Sequence, residues 1–447
     1  MYMKLTPKKF IASVVALSFL TLTGCSSTKV DTSATAEGGD STKPVEIRFA
    51  WWGDTKRNEL YNAICDNFQK DNSNIKIVRE VSSWNDYFDK LATQTAGGNA
   101  PEVFGIHPNF VSDYARRGAM QSIEEYVKSG TIDLSNFSQS VVDGGKVNGV
   151  NYMVSQGITF SNQMINLTLF DKLKVEKPSS NWTWEEFASK AKEIKAAAKK
   201  AGMNDVYGTH DNSNMLQYFR YMVRQEGRDL YDKDGNITFT EADAEKWFEF
   251  WKDLRDSGAM PSAATANEHA KDTLEQNLFT NSKIGVALFA VNQIALYQEQ
   301  MGDTNLGLMR NPTSANGKNG EYIEGAFLAI SSKSDKSKQD AAAKFINYFV
   351  NSEDSLKLFK LEQGVPGNTK MAEYIKPLLS EPQQKALVFV NDTVKYAEVA
   401  VYPPKGATPL DAAFRDAAAN VAYGDQSPAQ AAKSLVEQCR QIIQSNK

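Results

Sequence analysis

Beyond residue 44 the chain shows strand-like and helix-like periodicities that follow one another in a regular order. Residues 45–51 alternate as a β-strand does, and a stretch with apolar positions every three to four residues follows. Further short strands are predicted at 75–78 and 102–106, separated by a helix that opens with a capping pattern at Ser83. Strand, helix, strand, helix, strand is typical of a parallel sheet with crossover helices, so the pattern predicts an α/β fold.

The rest of the chain is mainly helical, with two more strands predicted at 283–289 and 324–330. Thr183 and Glu186 have capping-box spacing at the start of one helix, and Thr240 is a favourable N-cap for another. The helices predicted in this part are 183–201, 215–227, 240–257, 268–281, 339–350, 352–362, 383–396, 411–423 and 428–445.

The first 24 residues have the pattern of an export signal. A lysine-rich start precedes an apolar run at 10–22, which is too short to span a membrane. The run ends in Leu22-Thr23-Gly24-Cys25, which resembles a bacterial lipoprotein signal whose cysteine receives lipid. An ordinary secretory signal with an incidental cysteine is the alternative. We predict a signal peptide over 1–24, lipidation of Cys25 and a flexible Ser/Thr/Gly-rich tether over 25–43.

Composition excludes several classes of protein. The 50 basic and 54 acidic residues give a formal charge of −4, which argues against a nucleic-acid partner. Three histidines and three cysteines nearly exclude a structural zinc site, and we predict no metal and no cofactor. After lipidation Cys65 and Cys439 remain, and we favour two separate buried thiols over a disulfide between them.

Four segments, in their order along the chain, resemble the extracellular solute-binding proteins of ABC importers, in the sugar-binding family that includes maltose-binding protein. The double tryptophan of the first segment is closest to members that bind plant cell-wall oligosaccharides. The four segments are the strand–turn–helix at 47–54, the small-residue turn at 96–103, the crossover region 150–186, and the strand 284–288 together with 325–330.

The resemblance implies a two-lobed periplasmic-binding-protein-like α/β fold, with strand crossovers as a hinge and a ligand cleft between the lobes. The chain departs from the family pattern at one place. Family members often have two adjacent glycines where this chain has Glu324-Gly325. A carboxylate there would add a hydrogen-bond acceptor to the cleft or close part of it. We predict an N-terminal lobe from 44–156 and 290–330, and a C-terminal lobe from 157–289 and 331–447.

A sugar ring has apolar faces and polar edges, so its recognition needs flat aromatic side chains beside charged or amide groups. The first strand ends in Trp51, Trp52 and Asp54, with Arg57 shortly after. Alternation predicts that one of the two indoles packs in the core, and Trp52 is the better candidate for the cleft. Arg57 is a candidate partner for the carboxylate of a uronide, because a guanidinium binds carboxylates bidentately.

Further ligand-binding candidates come from strand ends and from positions that match the family. For three of them a structural role is the alternative: Trp84 could cap the core, His107 could bond the backbone, and Phe414 could be an ordinary helix-core residue. These further candidates are Trp84, His107, Asn109, Gln156, Phe289, Asn292, Glu324 and Phe414.

Together these features predict a non-enzymatic, lipid-anchored receptor outside the cytoplasm, on the outer face of a Gram-positive cytoplasmic membrane. It would capture an oligosaccharide, with pectin-derived ones among the candidates, deliver it to the permease of an ABC transporter, and act as a monomer. A secreted glycoside hydrolase is the main alternative, because Asp54 and Glu324 could serve as its two carboxylates. An adhesive surface lipoprotein is a third possibility.

Overall fold

A computed structural model describes residues 44–404, 406–407 and 409–445. The predicted signal peptide, the lipidated Cys25 and the tether therefore lie outside the described residues. Within the described part, no helix combines the length and the apolarity that a bilayer crossing requires.

The first sheet has five strands in the order β2-β1-β3-β11-β6. Strand β1 pairs in parallel with β2 and β3, as the strand–helix alternation predicted, whereas β11 is antiparallel to both of its neighbours. Its strands are Val45–Trp52 (β1), Ile75–Ser82 (β2), Val103–Ile106 (β3), Met153–Thr159 (β6) and Glu324–Ile330 (β11).

The second sheet has four strands in the order β10-β7-β9-β8. Strands β8 and β9 are parallel, and β7 runs antiparallel to β9 and β10. Its strands are Ser161–Asn166 (β7), Tyr207–Thr209 (β8), Ile284–Ala290 (β9) and Leu306–Met309 (β10). A small separate hairpin pairs Lys146–Val147 (β4) with Val150–Asn151 (β5).

Helices cover both sheets, so the molecule has two α/β lobes. In chain order they are Thr55–Asp71 (α1), Trp84–Ala96 (α2), Val111–Ala115 (α3), Glu124–Lys128 (α4), Gln139–Gly144 (α5), Leu167–Leu173 (α6), Trp184–Lys200 (α7), Leu216–Gln225 (α8), Glu241–Asp256 (α9), Ala263–Glu268 (α10), Ile294–Met301 (α11), Lys336–Asn351 (α12), Glu353–Phe359 (α13), Thr369–Ile375 (α14), Glu381–Thr393 (α15), Pro409–Tyr423 (α16) and Pro428–Ser445 (α17). Single 3-10 turns lie at Pro108–Phe110, Val291–Gln293, Lys376–Leu378 and Val394–Tyr396.

The helix caps agree with the sequence. Ser83 accepts a hydrogen bond from the Asp86 amide at the start of α2, and Thr183 and Thr240 each form a capping box at the starts of α7 and α9. The helix predicted at 268–281 is wrong, because α10 already ends at Glu268 and the residues after it form a series of turns. In these turns side chains bond nearby backbone amides, as Asn277 does to Phe279, and so compete with a helix.

Two segments lie in a different lobe from the one predicted for them. Strand β10, at Leu306–Met309, pairs with β7 of the second sheet, although the predicted N-terminal lobe included it. Helix α12 packs on β1, β6 and β11 of the first sheet, with Phe345 and Phe349 against Phe49, although the predicted C-terminal lobe included it. Helical periodicity shows that one face of α12 is buried, but it does not show which sheet covers that face.

The two remaining cysteines are separate free thiols, as predicted. Cys65 belongs to the core beneath the first sheet, and Cys439 belongs to the core formed by the helices of the second lobe.

A buried ion network stabilises the second lobe. Arg220 binds both carboxylate oxygens of Asp229, with donor–acceptor distances of 2.6 and 2.9 Å, and Arg224 donates to Asp229 Oδ2 at 2.6 Å. Burial would raise the pKa of Asp229, but Arg220, Arg224 and the Val401 amide together outweigh burial and lower it. The stabilisation is therefore complete above the unfolded-state pKa and is lost as the pH falls through the lowered folded-state pKa.

We expect Asp229→Ala to destabilise the protein by about 3–5 kcal/mol, because it leaves two guanidinium groups buried without their shared carboxylate. Urea unfolding at pH 7 measures the loss. Asp253→Ala is the matched control, because its partner Lys192 forms an exposed ion pair on α7 and α9, and it should change stability little. Equal losses in the two variants would contradict a special role for Asp229.

Candidate functional site

The two tryptophans at the end of β1 point to opposite faces of the sheet. Trp51 is only 2 % exposed, packs against Phe49 and donates its indole N–H to Asn58 Oδ1 at 3.0 Å. Its predicted contact with ligand is therefore wrong, since every face of the indole lies in the core. Alternation along the strand turns Trp52 to the other face, where an aromatic cluster covers it.

This aromatic cluster consists of Trp52, Trp84, Tyr87, Phe88 and Phe110. The centroids of Trp52 and Trp84 are 5.3 Å apart in an edge-to-face arrangement. Trp84 is 41 % exposed whereas Trp52 is 6 % exposed, so Trp84 presents the accessible indole surface at the carboxyl ends of β1 and β2. That Trp52 itself contacts a ligand stays a prediction.

The loop after β3 places polar groups beside Trp84. The imidazole of His107 lies 5.2 Å from the Trp84 ring and caps the 3-10 turn by accepting the Asn109 amide through Nδ1 at 3.4 Å. Burial lowers the pKa of His107 to about 4, so the imidazole is neutral near pH 7. The Asn109 side chain is exposed next to it.

Asp54 and Arg57 have local structural partners. Asp54 caps α1 by accepting the Arg57 amide at 3.0 Å. The Arg57 guanidinium donates to Glu362 Oε1 at 2.8 Å and to the Trp52 carbonyl at 3.1 Å. A ligand carboxylate at Arg57 would therefore compete with Glu362.

Residues at the hinge bond to one another. Gln156 is buried, accepts the Tyr61 hydroxyl at 2.7 Å and donates to the Phe327 carbonyl at 3.1 Å. Both ends of its amide are thus hydrogen-bonded inside the first lobe, and that Gln156 contacts a ligand stays a prediction. Asn292 accepts from the Thr159 hydroxyl at 3.1 Å, so it links the two lobes.

A second carboxylate, which is not among the predicted site residues, lies beside Glu324. Glu324 accepts the Ser161 hydroxyl at 2.7 Å, and burial raises its pKa. Glu321 is 3 % exposed, and within the described part of the chain its Oε1 has no hydrogen-bond partner. Burial raises the pKa of Glu321 to about 8, although the charge of Arg310 opposes the shift. Both carboxylates line a cavity of about 20 Å³, which has room for about one water molecule.

The second lobe has a polar recess of about 370 Å³ where β8 ends. His210 follows β8 directly, stands edge-on to Phe289 with centroids 5.6 Å apart, and has a pKa lowered by burial to about 4. Asn212 is 4 % exposed, and its Nδ2 has no partner among residues 44–404, 406–407 and 409–445. The recess is lined by His210, Asp211, Asn212, Ser213, Asn214, Pro261, Ala263, Ala266, Asn267, His269, Ala270, Asn277, Leu278, Arg415, Ala418, Ala419, Ala422 and Tyr423.

Of the predicted second-lobe residues, neither Phe289 nor Phe414 lines this recess, but Phe289 contacts His210, which does. Phe289 is half-buried and stacks on Tyr297 with centroids 4.3 Å apart. Phe414 is fully buried and stacks on Phe219, so its predicted contact with a ligand is wrong and the core-helix alternative is correct. The next residue, Arg415, faces the recess instead.

The polar run His210–Asn214 is not among the predicted site residues. The sequence does carry a signal for this run, because imidazole, carboxylate, amide and hydroxyl side chains follow a short buried strand, as His107 and Asn109 follow β3.

A larger recess of about 940 Å³ lies between β10 and α15, and it contains none of the predicted site residues.

The arrangement is suited to binding polar, ring-shaped molecules. One lobe presents an exposed indole with neighbouring polar groups, and the other presents amide and imidazole groups at the ends of its parallel strands. Asp54 and Glu324, the carboxylates that a hydrolase would use, are each engaged locally, by the α1 backbone and by Ser161. In the described ranges, no three histidine, cysteine or acidic side chains are grouped so that they could hold a metal ion.

Comparison with known proteins places the chain in a family. The profile of the bacterial extracellular solute-binding proteins matches residues 63–388, so the chain belongs to that family. It is similar to the maltooligosaccharide ABC transporter solute-binding lipoprotein of Streptococcus pneumoniae, at 21% identity over 81% of each chain.

Solved structures show the same fold. A family 1 extracellular solute-binding protein of Alicyclobacillus acidocaldarius is 27% identical, with a TM-score of 0.72 over 91% of this chain and 100% of that one. A periplasmic oligogalacturonide-binding protein of Yersinia enterocolitica, in complex with saturated digalacturonic acid, is 20% identical, with a TM-score of 0.76 over 90% of this chain and 99% of that one. The predicted two-lobed periplasmic-binding-protein fold is confirmed.

We expect Glu321→Gln to change how stability depends on pH. The folded-state pKa of about 8 lies above the unfolded value of about 4.3. The parent protein therefore loses stability as the pH rises from about 5 to 8, because folding then requires a proton on Glu321. The variant lacks this proton uptake, so its stability relative to the parent should increase over that range.

Urea unfolding at pH 5, 6, 7 and 8 measures the difference. Glu381→Gln, at an exposed position on α15, is the control and should follow the parent at every pH. A constant offset between Glu321→Gln and the parent across these pH values would contradict the buried, protonated carboxyl.

Proposed function

We propose that this protein is a receptor that captures an oligosaccharide between its two lobes and delivers it to the permease of an ABC transporter. The observation that carries the proposal is the exposed indole of Trp84, with His107 and Asn109 beside it, on one lobe, together with the polar recess around Asn212 on the other. The names of the pneumococcal and Yersinia relatives, a maltooligosaccharide binder and an oligogalacturonide binder, support the ligand class.

The ligand-binding set of this proposal differs from the predicted one. Three candidates are new: His210, Asn212 and Arg415. Asp54, Arg57 and Gln156 stay as secondary candidates, because all three have partners within the protein. The candidates kept from the prediction are Trp52, Trp84, His107, Asn109, Phe289, Asn292 and Glu324. Pectin-derived uronides remain within the proposed class, and for them Arg57 would have to exchange Glu362 for the sugar carboxylate.

The proposed receptor is a monomer outside the cytoplasm, tethered by lipid on Cys25 to the outer face of a Gram-positive cytoplasmic membrane. The pneumococcal relative is named a lipoprotein, which supports the anchor. A single basic, apolar, cysteine-terminated leader provides export and attachment together.

Trp84→Ala should weaken saccharide binding by more than about 1 kcal/mol, because a stacked indole contributes that much beyond simple burial. Titration calorimetry would first identify a ligand in a panel of galacturonide, neutral plant cell-wall, chitin-derived and maltose-series oligomers, and would then compare the variants. Tyr396→Ala, which removes a somewhat more exposed aromatic ring from the surface of the second lobe, should bind as the parent does.

Product analysis distinguishes a receptor from a hydrolase. We expect each bound oligomer to be recovered intact after long incubation, and its binding to raise the unfolding temperature in a saturable way. Shortened oligomers would support the hydrolase instead, and retention on insoluble polymer without stabilisation by short oligomers would support an adhesin.

Equal affinity of Trp84→Ala and the parent would remove Trp84 from the site.

Cys25→Ser should release the protein from the membrane fraction, because the acyl chains attached at this residue are its proposed anchor. Cell fractionation and mass spectrometry of the N-terminal peptide measure the outcome. Ser26→Ala is the control and should remain in the membrane fraction. Membrane association of Cys25→Ser at the parent level would contradict the lipid anchor.

A further inference from the structure

One segment without helix or strand contacts both lobes at a place distant in sequence from the strand crossovers. This segment, residues 397–404, follows the 3-10 turn Val394–Tyr396 and precedes α16, and we call it the strap. At its start the Glu398 amide donates to the Glu321 carbonyl at 3.1 Å, so the strap first runs along the second crossover between β10 and β11.

The middle of the strap is bonded to the second lobe. The Val401 amide donates to Asp229 Oδ2 at 3.0 Å, and Arg220 donates to the Val401 carbonyl at 2.5 Å. These partners are the buried ion network, in which Asp229 already binds Arg220 and Arg224. Pro404 packs on Gly235, where a Cβ atom would lie 2.7 Å from the proline ring. The second lobe therefore holds the strap through charged, buried groups.

The next two residues are bonded to the first lobe. The Tyr402 hydroxyl donates to the carbonyl of Gly144, the last residue of α5, at 2.5 Å. The hydroxyl of Ser112, on α3, donates to the Pro403 carbonyl. The Tyr402 ring also packs against the apolar cluster of the first lobe that contains Trp52 and Phe327. Adjacent residues of the strap thus bind opposite lobes.

This asymmetry has a mechanical consequence. If the lobes rotate apart about the crossovers, the strap must stay with one lobe, and its bonds to the other must break. The second-lobe bonds involve a nearly buried carboxylate and guanidinium, whereas the first-lobe bonds join neutral hydroxyls to carbonyls. The strap would therefore remain on the second lobe and release Gly144 and Ser112.

We propose that the strap is a latch: Tyr402 and Ser112 hold the lobes together through it, and opening of the cleft begins with the loss of these two bonds. The latch acts on the balance between open and closed lobes whatever ligand the cleft takes, so it goes beyond the proposed receptor function. A latch of this kind sets the fraction of molecules that a solute can enter, and so changes the apparent affinity for that solute.

The test is the double variant Tyr402→Phe with Ser112→Ala, measured without ligand by small-angle X-ray scattering and hydrogen exchange. We expect the ratio of open to closed molecules to rise at least about fivefold, seen as a larger radius of gyration, because two net hydrogen bonds are lost. The α3 and α5 amides should exchange faster, whereas the amide of Val401 should keep its protection on Asp229.

The matched control is Tyr126→Phe with Ser332→Ala. It also removes two hydroxyls, but their partners, Asp340 and the Gly118 carbonyl, belong to the same lobe. The control should scatter like the parent. The same radius of gyration in both double variants would overturn the latch. If the first double variant is unfolded by circular dichroism, Tyr402→Phe alone replaces it, and an unchanged radius in that variant overturns the proposal equally.

Discussion

The direct passage of the chain from one sheet to the other is the constraint on which the rest of the structure depends. Strand β6 ends at Thr159 and β7 begins at Ser161, so Phe160 alone separates the two sheets. Buried amides fix this passage: Asn162 accepts the Asn311 amide at 2.7 Å, and the Asn311 side chain donates to the Ser161 carbonyl at 2.7 Å. Because these hydrogen bonds are buried and costly to break, the network favours rigid lobes that move about it.

The close packing at this crossover also explains why one glycine of the family's pair is kept, at Gly325, while the other is replaced by Glu324. Gly325 has φ of +132°, and a Cβ atom there would lie 2.1 Å from the Gly157 carbonyl oxygen, so only glycine fits between β11 and β6. The position of Glu324 has no such requirement. Its carboxylate accepts the Ser161 hydroxyl at the crossover, so it contributes to the hinge whether or not it also touches a ligand.

What the sequence could predict depended on whether the signal was local. Strand alternation predicted that one indole of the Trp51-Trp52 pair is buried, and capping patterns located the starts of α2, α7 and α9. Family likeness alone suggested Phe414, but helical geometry turns that ring into the core and Arg415 to the recess. The lobe that holds α12, and the turns around His269 that line the recess, depend on contacts distant in the sequence, and no local pattern encodes them.

A site shared between two lobes must open to admit a solute and must also close around it. The strengths of the contacts between the lobes decide how the protein can do both. Neutral hydrogen bonds contribute a net of about 0.5–1.5 kcal/mol each, whereas breaking a buried ion pair costs about 3–5 kcal/mol. A strap held by Asp229 on one side and by two hydroxyl bonds on the other can therefore release one lobe without unfolding the other. Two such bonds add only a small margin to the closed state, and this margin reduces the energy that a ligand must supply for closure. Because the margin is small, the lobes can still separate often enough for a solute to enter and leave.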